Sequence, residues 1–161
     1  MATRPARGWQ ILATLLVALV LELIPLVPAV EFWWPPWLTL TLIYWCMQAP
    51  GFVGIGVGFG LGLVLDVLRG SLLGQQALAY TIVAYVVLRL YPEVRFMPRA
   101  YQVMFVGALL LSSELLVIVI AGASTTGTAT WRHLLPVLSG TLLWALLLLA
   151  RRERIGAVGR D

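Results

Sequence analysis

The chain has 161 residues, of which 61% are apolar and 11% charged, and its net charge of +4 comes from 11 Arg, no Lys and 7 acids. A soluble domain runs at about 45–50% apolar and about 25% charged, so this composition excludes one, and it excludes a disordered chain as well. One Cys and one His make neither an internal disulfide nor a closed zinc site. What remains is an all-α polytopic membrane protein in a single transmembrane domain, residues 1–161.

A spanning helix needs roughly 20 mostly apolar residues. Six segments approach that length: 9–27, 37–49, 51–68, 72–91, 101–121 and 134–150. The first is longer than the apolar core of a signal peptide (about 7–15 residues) and is interrupted by Glu22, so it reads as a retained signal-anchor. Residues 28–36 hold Glu31, Trp33, Trp34, Pro35 and Pro36. They read as an outer loop with an aromatic belt, the next helix starting at Pro36. The second segment is short, and a half-span or re-entrant piece is its alternative. We take it as a span, because five spans would put the termini on opposite sides. The Ser/Thr/Gly-rich stretch 122–130 reads as a short outer connection.

With six spans, Arg4, Arg7, Arg89, Arg95, Arg99, Arg151, Arg152, Arg154 and Arg160 share one side, and only Arg69 and Arg132 lie on the other. The positive-inside rule makes the first side cytoplasmic, with both termini on it. Arginines beside an anionic leaflet account for the basic charge, and no nucleic-acid partner is needed.

The third segment carries Gly54, Gly58 and Gly62 at every fourth position, with Gly56 and Gly60 in a second row. In lipid, such a row lets another backbone come close. Packing within the same chain is the plainer reading, and a groove for a partner's helix is the alternative. Neither a dinucleotide fingerprint nor a phosphate loop fits the spacing.

Three acids fall inside spans: Glu22, Asp66 and Glu114. At about 1.5 Å rise per residue they lie ~20, ~22 and ~20 Å from the cytoplasmic helix starts, so they converge on the outer third of the membrane. Buried charges of this kind face a bundle interior or a cavity. Arg69 lies three residues beyond Asp66, at helix-neighbour spacing. Gln76 and Tyr80 share a face of the fourth segment near the same end and are candidate hydrogen-bond partners of the acids. Glu22, Asp66, Arg69, Gln76, Tyr80 and Glu114 therefore form a candidate polar network or contact site, with Arg69 as the candidate partner of Asp66. Arg132 and His133 are expected at the same level.

No catalytic constellation emerges. His133 lies at a helix edge, Ser139 falls on the wrong face for it, and Ser112 and Ser113 lack a nucleophile-elbow context. Glu93, Glu153 and Asp161 do not form a cytoplasmic acid cluster. No cofactor or metal is implied, and the reading is non-enzymatic.

The stretch from Gly58 to Leu90 carries Leu65-Asp66-Val67-Leu68, Gly70, Leu73-Gly74-Gln75, Ala77-Leu78-Ala79 and Ala84-Tyr85. Together with Ile43-Tyr44-Trp45 before Pro50, and Leu134-Leu135-Pro136 before an apolar helix and an Arg pair, it resembles the rod shape-determining protein MreD family. Gln76 stands where many relatives would have His. The resemblance implies a six-helix transmembrane bundle like the substrate-capture subunits of vitamin transporters, in the bacterial inner membrane. It further implies MreC as direct partner, with MreB, RodA and a class B penicillin-binding transpeptidase reached through it, and a regulatory part in peptidoglycan synthesis by the elongation complex. The rival reading is a small-molecule-binding membrane subunit of a transporter, with the same polar residues lining a pocket.

Overall fold

The computed structural model describes residues 8–24, 33–94, 96, 98–123 and 135–158. They form six helices, which we label α1 (Gly8–Leu23), α2 (Trp37–Gln48), α3 (Ile55–Arg69), α4 (Gln75–Val94), α5 (Arg99–Ala123) and α6 (Leu135–Val158). There is no strand among the described residues. Two stretches are long and apolar enough to cross a membrane, Gln75–Val94 and Arg99–Ile120, and Gly8–Leu23 and Leu135–Leu149 are shorter apolar helices. α2, with 12 residues, rises only ~18 Å, against the ~30 Å of a hydrocarbon core.

α4 is the central element and packs on α3, α5 and α2, while α1 lies against α2 and, more lightly, α3. Its inward row of Ala77, Tyr80, Val83, Ala84 and Val87 is buried at the three-four spacing of a helix face. α1 buries only Ile11, Leu15, Ala18 and Leu19, and leaves Trp9, Leu12, Leu16, Val17 and Val20 exposed. Exposed apolar faces of this kind suit a lipid solvent, in which hydrocarbon contact costs nothing.

Several boundaries differ from the sequence expectation for local reasons. α3 starts at Ile55 rather than near residue 51, because the amides of Phe52 and Val53 both turn back to the Ala49 carbonyl. α3 ends at Gly70, whose φ of 62° is the left-handed region that glycine enters without a Cβ penalty. The amides of Gly70 and Ser71 then bond the carbonyls of Val67 and Asp66, a Schellman ending. α4 accordingly begins at Gln75, three residues after the expected start. The expected loop 28–36 is described only from Trp33 on, and the stretch expected to connect the last two segments only to residue 123.

Candidate functional site

Among the described residues α3 and α4 make the most extensive helix contact, and glycine allows it. A Cβ built on Gly58 would lie 2.9 Å from the Tyr80 carbonyl oxygen and 3.2 Å from the Ala84 Cβ. One built on Gly62 would overlap the backbone of Ala77 and Gln76. Gly54 is looser, with Leu88 at 3.8 Å, and Gly56 and Gly60 face open space. The Gly54–Gly58–Gly62 row therefore lies against the chain's own fourth helix.

Beyond that contact the chain turns through Gly70–Gly74, and Asp66 holds the turn. Its carboxylate is fully buried. Oδ1 accepts from the Ser71 hydroxyl at 2.9 Å and from the Gln76 amide at 2.9 Å; Oδ2 accepts from the amides of Gly74 at 2.9 Å and Ala77 at 3.3 Å. The Gln76 and Ala77 amides belong to the first turn of α4, whose N–H groups have no partner within their own helix, and Gly74 directly precedes it. No Ser, Thr, Asp or Asn directly precedes Gln75, so the cap comes from the preceding helix. The carboxylate also sits at the positive end of the α4 dipole.

Glu22 does the same for α2. That helix starts after Pro36 without a side-chain cap, and Glu22 Oε2 accepts from the Leu38 amide at 3.3 Å. Its other oxygen pairs with Arg69 Nη2 at 3.0 Å, and Arg69 also donates to the Glu22 carbonyl at 3.3 Å. The expected pairing of Arg69 with Asp66 is thus replaced. The end of α3 directs Arg69 towards α1, and the amides of α4 engage the oxygens of Asp66. Trp34 Nε1 donates to the Leu21 carbonyl at 3.1 Å and meets Trp37 edge-on, with ring centroids 6.0 Å apart. Trp34 therefore ties the start of α2 to α1, while Trp33 stays exposed.

Tyr80 is buried, and its phenol has Thr39, Glu22, Arg69 and Glu114 as electrostatic neighbours. Glu114 feels repulsion from Glu22 and attraction from Arg69. Gln76 enters through its backbone amide, and the neighbouring Gln75 side chain reaches the Val117 carbonyl at 3.5 Å. So Glu22, Arg69, Tyr80 and Glu114 share one neighbourhood, and Asp66 with Gln76 forms a second one beside it. Sequence reasoning missed Ser71, Thr39 and the internal bond of Trp34. The available signal was two helix starts without a local cap, each at the level of an intramembrane acid. Arg132 and His133 lie outside the described residues.

The hydroxyls of Ser112, Ser113 and Ser139 are bonded within their own helices, to the carbonyls of Leu109, Leu110 and Pro136. Among the described residues no three His, Cys, Asp or Glu side chains gather as a metal site.

A family profile described as rod shape-determining protein MreD matches residues 4–152. The chain belongs to the MreD family. It is also 32% identical over 154 residues, 95% of each chain, to the rod shape-determining protein MreD of Haemophilus influenzae. No solved structure matches it. MreD membership gives the chain a part in rod-shape determination and, with its apolar helices, a place in a membrane. In this MreD-family chain, the segment that suggested the family from sequence, Asp66 to Gly74, is the turn held by the Asp66 carboxylate.

Proposed function

We propose that the chain is a non-enzymatic scaffold of bacterial cell elongation that crosses the inner membrane six times with both termini in the cytoplasm. It holds the membrane helix of MreC and biases MreC between states that do and do not engage the elongation complex of MreB, RodA and the class B transpeptidase. Peptidoglycan synthesis is thereby regulated through helix contacts. Family membership over residues 4–152 supports the role, and the one-sided arginines support the orientation. The described connections 49–54 and 70–74 are short, so the chain acts there through its helix faces.

The observation that carries the partner reading is a groove between α1 and α2. It is lined by Ala13, Thr14, Val17, Ala18, Trp37 and Thr41. Small residues on its α1 wall admit a helix closely. The Trp37 indole N–H is buried without an acceptor, and a partner carbonyl or hydroxyl would satisfy it. The Gly58–Gly62 face lies against α4, and this groove with its unpaired indole is the proposed docking edge.

Filling the groove with Ala13→Phe and Val17→Phe tests this. Overpacking of about 1–3 kcal/mol at the contact corresponds to a weakening of MreC binding of roughly fivefold to a hundredfold. Accumulation and melting should stay at wild-type values, and cells should round up. Undiminished recovery of MreC with normal rods would remove the groove from the account. The transporter-subunit reading is disfavoured, because the carboxylates of Asp66 and Glu22 are bonded to helix starts rather than left free for a ligand.

A further inference from the structure

At the end of the bundle opposite Asp66 the helices part around a cavity of about 100 Å³. Its walls include Tyr44 and Gln48 of α2, Tyr91 of α4, Gln102 of α5 and Trp144 of α6. An engineered apolar cavity of ~150 Å³ admits benzene and stays dry, so this space suits a short stretch of aliphatic chain. It does not suit a whole lipid or a transmembrane helix. Gln48, Gln102 and the two tyrosines add polar atoms to this otherwise apolar wall.

The charge around this end is cationic. Arg99 is exposed and lies one helical turn before Gln102. Arg151 and Arg152 follow the lining residues Leu147 and Leu148 by four positions each, one turn further along α6. Arg89 is exposed at the same end of α4. Glu93 and Glu153 are the acids in these stretches, and the arginines outnumber them. Basic clusters beside a cavity between membrane helices suit an anionic headgroup.

We propose that this end of the bundle binds one anionic phospholipid of the adjoining leaflet, with part of an acyl chain in the cavity and the phosphate drawn to the arginine cluster of this end, the exposed Arg89 and Arg99 together with the arginines that follow Leu148 in sequence. The proposal requires only that the chain is a membrane protein and not that it binds MreC. Its test uses this chain alone, so a failure of either reading is distinguishable from a failure of the other.

The experiment is thermal melting and native mass spectrometry of the delipidated full chain in neutral detergent. The additions are phosphatidylglycerol, phosphatidylethanolamine or inorganic phosphate. Phosphatidylglycerol should raise Tm and persist as a single bound copy, and the other two should do neither. Arg99→Gln with Arg152→Gln should weaken phosphatidylglycerol by roughly tenfold or more. Leu148→Trp, which fills the cavity, should release the bound copy, and the arginine pair keeps the test decisive if this variant does not fold. Equal stabilisation by phosphatidylethanolamine would reduce the site to a chain pocket without charge recognition. Equal stabilisation by inorganic phosphate would reduce it to a headgroup site, and unchanged binding by the double variant to annular contact. Each of these three results overturns the proposal.

Discussion

At the acidic end of the bundle, Asp66 is completely buried and accepts hydrogen bonds from Ser71 and from the amides that open α4. Beside it, Glu22 caps α2 and pairs with Arg69. At the arginine end the same helices separate around a cavity with aromatic and glutamine walls. The first end is cross-linked by short polar contacts between α1, α2, α3 and α4. The second leaves space between α2, α4, α5 and α6. A charge inside a membrane is tolerated when its partners are fixed, and at the acidic end those partners are helix starts. Asp66 and Glu22 thus hold helix starts together, and ligand or partner contacts are better sought where the packing is open.

Substitutions can break this contrast at graded positions. The largest effect is expected at Gly62, where any side chain meets the α4 backbone. Gly62→Leu should cost at least about 3 kcal/mol through overpacking and prevent accumulation. Gly60→Leu, on the open side of the same helix, should stay within about 0.5 kcal/mol by melting in detergent. Similar losses for both would mean that the whole helix, and not one face, resists side chains.

Asp66→Leu comes next. It strands several buried amides of α4 and should cost about 1–3 kcal/mol or more. Asp66→Asn keeps one acceptor oxygen and should fall between it and wild type. Wild-type melting of Asp66→Leu, with normal rods, would contradict the capping role.

Arg69→Met should be milder. Arg69 is 37% exposed against 11% for Glu22, so solvent screens the pair and a loss of about 1 kcal/mol or less is expected. The smallest effect is expected at Trp34. Trp34→Phe removes its bond to the Leu21 carbonyl and should lower stability by about 0.5 kcal/mol, the low end for a single hydrogen bond. Hydrogen exchange localised to the start of α2 would register it. A larger effect at Trp34 than at Asp66 would reverse the ranking of the two caps.

Much of this was legible in the sequence, unevenly. The helical class followed from composition, and the spacing of Gly54, Gly58 and Gly62 showed a close-approach face. Helix geometry also brought Glu22 and Glu114 to one level. The partners of the acids were not legible, because backbone amides have no letter in a sequence. Arg69 at three residues from Asp66 looked like its partner. The Schellman ending at Gly70 instead leaves Arg69 pointing to α1 and returns the chain so that Gly74, Gln76 and Ala77 face the carboxylate. Trp34 looked like an interfacial anchor for a similar reason. Its acceptor is a main-chain carbonyl thirteen residues earlier, a relation that residue type alone does not encode.

The third-helix glycine face packs against the chain's own fourth helix, so the proposed contact with MreC lies elsewhere. Gly58→Leu tests it most directly, with tagged MreC co-expressed and both the accumulation of the variant and the recovery of MreC measured. Gly58→Leu should fail to accumulate or melt well below wild type, since a Cβ there would lie 2.9 Å from the Tyr80 carbonyl oxygen. Normal accumulation and melting with MreC recovery lost would contradict it and move the partner site to the glycine face.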